Sequence, residues 1–315
     1  MAIVIGESGA WKQVLLMART AGIVVSKPSD VGIQLARAQK ILAEEELRAR
    51  DDLALREAEL ERDLAQKQAA AAQDITRVHD DFGQRLKRLA AQPATSRLWT
   101  GLSRLTLQAQ ERAQVRALSR RALPAARALQ EFLDGRETEI ARRVESTRRI
   151  VLQVEAIAHS ATLANAIAER NVIKALSALP DDFILMNDLH LHASRDLPFD
   201  GGYVRTAQLD HLLVGPTGIY AIETRSWSRT ARIDGPEADP ILQVSQASFL
   251  CTQILKEAGN TQIVRSIVAS EGTAPTRSGG AHVATVPAAR LLPYVQYGPQ
   301  LVSVQEVAEI VRILS

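Results

Sequence analysis

At 315 residues with 46% apolar side chains, the chain is long enough for two domains and apolar enough to bury a sizeable core, which excludes a disordered tail. Its 38 Lys and Arg against 36 Asp and Glu leave a formal charge of +2, so overall charge neither demands nor forbids a polyanionic partner. A lone Cys251 excludes an intramolecular disulfide framework and a cysteine-rich zinc site, and it fits a reducing compartment, with the cytoplasm as the expectation.

Residues 1–32 carry no assigned element. IVIGESGAWK, residues 3–12, leads an apolar run into Gly-x-x-Gly and a lysine, but it lacks the Gly-Lys-Ser/Thr that places an ammonium and a hydroxyl around a bound phosphate. GIVVSKPSD reads equally as a short strand and turn or as a disordered lead-in. No basic start precedes an uninterrupted apolar block, and no run approaches about 18 apolar residues, so neither a leader nor a membrane-spanning helix is expected.

Residues 33–158 read as an α-helical coiled coil or helical hairpin. From 33 to 92 there is one glycine, no proline and a dense mixture of Ala, Leu, Glu, Gln and Arg. Leu53, Leu60, Leu64, Ala71, Ile75, Val78, Phe82 and Leu89 fall on one stripe at spacings of 3, 4 and 7, which a single helix cannot bury by itself. AQPATS at 91–96 predicts a turn. Beyond it Leu98, Leu102, Leu105 and Ala109, then Val115, Leu118, Ala122, Ala125, Leu129 and Phe132, repeat the stripe, with Pro124 expected to kink or end the helix. A third helical run is expected over 136–158, carrying Ile140, Val144, Val151 and Val154. Residues 44–63 are rich in carboxylates and residues 82–130 in Lys and Arg, which favours an antiparallel pairing. The basic run from Arg85 to Arg127 reads as a solvated or intra-coil face, with a nucleic-acid surface as the other reading. Such an arm suits homodimerisation or contact with a protein partner.

From residue 160 to 315 the pattern changes to an α/β domain with a central mixed sheet. Strands are expected at FILMNDLHL (183–191), YVRTAQLDHLLVG (203–215), IYAIETR (219–225) and QIVRSIVAS, and helices at about 161–179, 240–257 and 303–314. His190 and His192 would share a strand face, but no third ligand accompanies them and a half-exposed face explains them. Ser245 and Cys251 have no base in a recognisable pattern, so nucleophilic catalysis is not read there.

The stretch LDHLLVGPTGIYAIETR, 209–225, is different. Asp210 lies five residues before Gly215 and Glu223 five after Gly218, so a hairpin joined at Gly-Pro-Thr-Gly brings the two carboxylates opposite one another. Like charges opposed across a sheet are destabilising, and a divalent cation, Mg2+ or Mn2+, compensates them naturally. Arg225, two residues beyond Glu223, falls on the same strand face. Carboxylates, a cation and an adjacent guanidinium suit phosphodiester hydrolysis. The bland alternative is a solvated Asp210 and a Glu223 paired with Arg225 or Arg205.

The string LDHLLVGPTGIYAIETRSWS resembles the nuclease-related domain family (NERD), a branch of the PD-(D/E)xK restriction-endonuclease-like superfamily. ANAIAERNVIKALSALP resembles that family's opening helix and DPILQ its Asn-Pro-x-x-Gln, so the likeness covers about residues 160–315. It implies that Asp210 and Glu223 are metal-binding acids, that Glu169 is the helix carboxylate, and that Gln243 lies near the site. Two positions depart from the pattern: the family lysine is Arg225 and the small glycine before the helix Glu is Ala168. Arginine stays charged and can hold phosphate, but it does not serve readily as a base. The expectation is a metal-dependent nuclease acting on DNA, with RNA open as a substrate. The alternative is a nuclease-like module that has lost hydrolysis and binds nucleic acid or protein.

Overall fold

The computed structural model describes residues 1–91, 97–227, 239–272 and 282–315. The chain divides into two compact units, one of Met1–Arg37 with Ile150–Ser315 and one of Ala38–Arg149.

The first unit is built on a six-stranded mixed sheet in the order β1 (Ile3–Ile5), β2 (Ile184–Phe199), β3 (Gly202–Gly215), β4 (Gly218–Trp227), β5 (Val264–Gly272) and β6 (Val283–Pro287). β2, β3 and β4 form an antiparallel meander, and β1, β5 and β6 add in parallel. The central strands read as nearly continuous apolar runs because both faces are covered. Leu212, Val214, Ile219 and Ala221 pack with Val244, Leu250 and Cys251 of α6 (Pro240–Glu257) and Val307 and Ile310 of α8 (Val304–Leu314). On the opposite face Leu213, Tyr220 and Ile222 pack with Val172 and Leu176 of α5 (Ala161–Leu176) and Leu291 and Val295 of α7 (Ala288–Gln296). The α/β expectation for this part of the chain therefore holds, as a sheet between two helical layers.

Helix starts follow local chemistry. Ser160 caps α5, Asp239 caps α6 with Pro240 in its first turn, and Ser303 with Glu306 forms a reciprocal capping box at α8. The β2 and β3 strands extend beyond the expected 183–191 and 203–215, meeting at a turn where Asp200 and Gly201 have positive φ. β1, β6 and α7 had no assigned counterpart in the sequence reading.

Residues 1–32, unassigned from sequence, contribute β1 and α1 (Gly9–Thr20) and the start of α2 (Pro28–Ala90). Trp11, Val14 and Ala18 stand on one face of α1 and pack with Val31, Ile157, Leu163 and Ala166. Gly6 has φ +80°, and a Cβ there would meet the Asn187 carbonyl oxygen at 2.8 Å, so only glycine lets this segment approach β2.

The second unit consists of parts of α2 and α4 (Leu123–Ala158) together with α3 (Arg97–Ser119) and a 3-10 turn at Arg120–Ala122. Glu46 pairs with Arg148 at 3.0 Å, Asp52 with Arg143 at 3.3 Å, Glu57 with Arg136 at 3.0 Å and Asp74 with Arg121 at 2.9 Å. Partner numbers fall as α2 rises, which defines the expected antiparallel hairpin. Leu53, Ala71 and Phe82 are buried, and Leu60, Leu64, Ile75, Val78 and Leu89 are half-buried, as the stripe requires. Ala49, Leu53 and Ile140 form a small apolar cluster with Phe132 against it.

The return stripe is corrected at its start. Leu102 and Leu105 are 62% and 65% exposed, while Leu107 and Glu111 are half-buried. Glu111 meets His79 at 2.7 Å, and at 100° per residue Leu102 lies on the side opposite Glu111. The stretch expected as a separate helix over 136–158 is the continuation of α4. The break sits before Pro124, which has no N–H for the next helical bond; Leu123 N–H bonds Arg120 O in the intervening 3-10 turn. The AQPATS turn lies largely outside the described residues, as does the Leu98 side chain. Among the described residues no single helix is long and apolar enough to cross a membrane.

Candidate active site

The β3–β4 ladder pairs His211 with Ile222 and runs to Gly215 with Gly218. One step outward in the same register, Asp210 comes opposite Glu223. Across the other edge of β3, the pairs Asn187–His211 and Leu189–Leu209 put Asp188 opposite Asp210 as well. The meander thus places Asp188, which the sequence reading missed, beside the Asp210–Glu223 pair, but its oxygens accept from Lys12 and Gln208 and it does not line the cleft described below.

The hydrogen bonding of the acids is unequal. Asp210 Oδ2 accepts the Thr224 backbone N–H at 2.8 Å. Glu223 is 1% exposed, and neither of its carboxylate oxygens has a hydrogen-bond partner. Arg225 Nη2 stands 3.2 Å from Glu223 Oε1, an ion pair without hydrogen-bond alignment, and the same nitrogen donates to Gln243 Oε1 at 2.8 Å. Gln243 occupies the first turn of α6, whose start Asp239 fixes by accepting from Ile241 N. Glu169 on α5 is 4% exposed, and its Oε2 accepts from Ser8 Oγ at 2.6 Å and Ala10 N at 3.3 Å.

Glu169, Asp210, Glu223, Arg225 and Gln243 all line one cleft of about 220 Å³. Gly9, Ala10, Gln13, Thr162, Asn165 and Gln208 complete its wall. The N-terminal contribution was not legible beforehand, because nothing in IVIGESGAWK reveals which strand β1 will join. Asp188 was recoverable in principle from the β2–β3 register. It accepts from Lys12 Nζ at 2.6 Å and Gln208 Nε2 at 2.8 Å. A Cβ on Gly9 would stand 2.7 Å from Asp188 Oδ1, so the N-terminal segment passes close over this carboxylate.

Burial pushes Glu223 well above the usual carboxylate range, Asp210 adds to the shift, and Arg225 offsets part of it. Glu169 rises through burial and the charge of Asp210, against the opposing Ser8 hydrogen bond. Asp210 also rises through burial, although the Thr224 amide and Arg225 work the other way. For Asp188, burial raises the carboxyl, but the hydrogen bonds from Lys12 and Gln208 outweigh it and the net shift is downward.

A divalent cation fits the chemistry of this donor set. Glu223 offers two buried oxygens without hydrogen bonds, Oε1 standing 3.2 Å from Arg225 Nη2, beside Asp210, which has one oxygen engaged by a backbone amide. Among the described residues no three carboxylate or imidazole groups converge into a ready-made metal cage; the acids line a shared cleft.

The residues the sequence reading set aside stay outside the site. His190 and His192 are exposed on β2, opposite Gln208 and Thr206. His211, next to Asp210, faces the opposite way and is fully buried, which lowers its pKa to about 3. Asn187 Nδ2 donates to the Ile5 and Gly6 carbonyls, so its Oδ1 accepts from His211 Nδ1–H at 2.7 Å. Ser245 Oγ donates to the Ile241 carbonyl within α6, and burial pushes the Cys251 thiol up to about 12, so neither is an activated nucleophile.

Residues 164–270 match the family described as NERD, nuclease-related domain, a narrower span than the resemblance over 160–315. No curated protein and no solved structure matches the chain significantly. The matched span holds Glu169, Asp210, Glu223, Arg225 and Gln243 and excludes the N-terminal wall of the cleft. With its mixed sheet and its acids in one cleft, this part of the chain is a nuclease-related domain.

Proposed function

We propose that the chain is a Mg2+- or Mn2+-dependent nuclease that hydrolyses phosphodiester bonds in DNA. The observation that carries this reading is Glu223: a carboxylate 1% exposed, with Arg225 3.2 Å from Oε1 but no hydrogen-bond partner on either oxygen, next to Asp210 in a polar cleft. A protein retains such a group at a cost unless something satisfies it. Asp210 and Glu223 are the residues that would hold the metal, with Glu169 at the same cleft. When bound, a divalent ion supplies charge neutralisation at the phosphate and a more acidic water.

The remaining work falls to side chains of this chain. Arg225 carries a permanent charge at the cleft and can bind a phosphate oxygen through its planar fork, while Gln243 holds that guanidinium in place. Arg225 does not remove a proton from water. The helical arm of residues 38–149 is assigned to oligomerisation or a protein contact, and the whole chain to the cytoplasm.

The specific observation favouring a second reading is the position of Arg225 itself. Its guanidinium stands where the resembling family has lysine, and it engages both Glu223 and Gln243. A module in that state binds nucleic acid or protein without cutting. Incubation of the purified chain with plasmid and with short linear DNA, in Mg2+ or Mn2+ and beside Asp210→Ala, separates the two. Cleavage by the natural chain that requires metal and disappears in the variant is expected; absence of cleavage in every arm selects the binding module.

A further inference from the structure

Ser8 lies outside the matched span of 164–270, yet it reaches the site. Its side chain is buried, and its Oγ accepts the Trp11 N–H at 3.0 Å, which caps α1. The hydroxyl has one proton, and with the amide as donor to Oγ that proton goes to Glu169 Oε2, 2.6 Å away. Ala10 N–H reinforces the same oxygen at 3.3 Å. Glu169 Oε1 takes no hydrogen bond from the described residues, so the two donors orient the carboxylate through one oxygen and leave the other uncommitted.

The segment that carries Ser8 is held independently of this contact. β1 pairs in parallel with β2 through Ile3–Ile184, Val4–Leu185 and Ile5–Met186. Trp11, Val14 and Ala18 are buried against α5, the helix that bears Glu169. Lys12 ties α1 to Asp188 at 2.6 Å. An anchored donor restricts the rotamers of its acceptor, which is how outer-shell groups tune metal ligands.

We propose that Ser8 is a positioning residue that orients the Glu169 carboxylate in the cleft, making the N-terminal segment an integral part of a divalent-cation site. The proposal rests on the reading of Asp210 and Glu223 as cation-binding acids. Glycine is the test substitution because it is tolerated at a helix start and cannot donate to Glu169. Threonine keeps the hydroxyl.

The experiment titrates Mn2+ calorimetrically into the full chain, as the natural protein and as Asp210→Ala, Ser8→Gly and Ser8→Thr. Binding is expected in the natural chain and lost in Asp210→Ala; in Ser8→Gly it weakens about 10–100-fold, and Ser8→Thr restores it to within about threefold. Unchanged affinity in Ser8→Gly, with binding still lost in Asp210→Ala, overturns the role of Ser8 and leaves the acid pair standing. Equal binding by the natural chain and Asp210→Ala, or no binding by the natural chain, overturns the acid-pair reading and this proposal with it. Where circular dichroism shows Ser8→Gly unfolded, Ser8→Cys, of similar size but a weak donor, is judged by the same outcomes.

Discussion

Arg225 Nη2 stands 3.2 Å from Glu223 Oε1 and 2.8 Å from Gln243 Oε1, so one guanidinium nitrogen serves a buried acid and the amide of a helix start. Removing it leaves Glu223 without a counter-charge. Arg225→Met is expected to lower stability at pH 8 in EDTA by about 1–3 kcal/mol, less than the full penalty of a broken buried pair because Glu223 can take up a proton. Urea unfolding of the two proteins measures the difference, and equal midpoints would show that the pair contributes nothing.

Arg225→Lys keeps the charge and replaces the fork with a compact ammonium that releases Gln243. We expect Mg2+-dependent cleavage of plasmid DNA to rise by about tenfold, an ordinary increment for a better-placed proton-transfer or positioning group. A nicking assay over a time course decides it; activity equal to or below that of the natural chain refutes the idea that the cation's identity limits the site.

The acids make metal-free stability dependent on pH. Glu169, Asp210 and Glu223 all have raised folded-state values, so their contribution is complete below the unfolded carboxylate range, near pH 4, and is lost as pH rises through the folded values. In EDTA the melting temperature is expected to fall by about 3–8 °C between pH 5 and pH 8, with Mn2+ restoring it at pH 8. His211 acts in the opposite sense: its value is depressed to about 3, so its contribution is present above pH 6.5 and is lost as pH falls. Glu223→Gln separates the two, since it should lessen the fall with rising pH, leaving the part due to Glu169 and Asp210, and leave the acid side unchanged.

Asn187 links the N-terminal strand to the core by donating to the Ile5 and Gly6 carbonyls and accepting from His211. Asn187→Ala leaves His211 Nδ1–H buried without an acceptor, at a cost of about 1–3 kcal/mol. Hydrogen exchange should accelerate over residues 1–20 more than over β5, and uniform acceleration would argue against a local role.

In the arm, burial rather than charge should dominate. Leu53 is 5% exposed against Ile140, whereas Arg148 and Glu46 are partly solvated. Leu53→Ala is expected to cost about 2–3 kcal/mol and Arg148→Ala under about 1 kcal/mol. Denaturation of the two variants checks the ranking.

Periodicity and turn chemistry made much of this molecule legible. The stripe from Leu53 to Leu89, the opposed charges of the two arm segments and the hairpin count from Asp210 to Glu223 are all local or depend on one turn, where chain spacing dictates neighbours. The rotation of α3 was not legible, because the His79–Glu111 contact chooses a helix face that the leucine spacing alone leaves open. Arg225 and Gln243 could be singled out as separate residues, but their shared nitrogen depends on where α6 begins relative to β4.

By itself the sequence determined a helical arm, an α/β domain and a pair of acids forced together across a tight turn, since each follows from spacing along one or two adjacent elements. Only the tertiary structure decided that Ser8, Gly9 and Lys12 reach Glu169 and Asp188, more than 150 residues away along the chain. The reason is that β1 joins the sheet at an edge through backbone hydrogen bonds, which any extended segment can make, and the side chains of a short strand do not encode which edge will receive them.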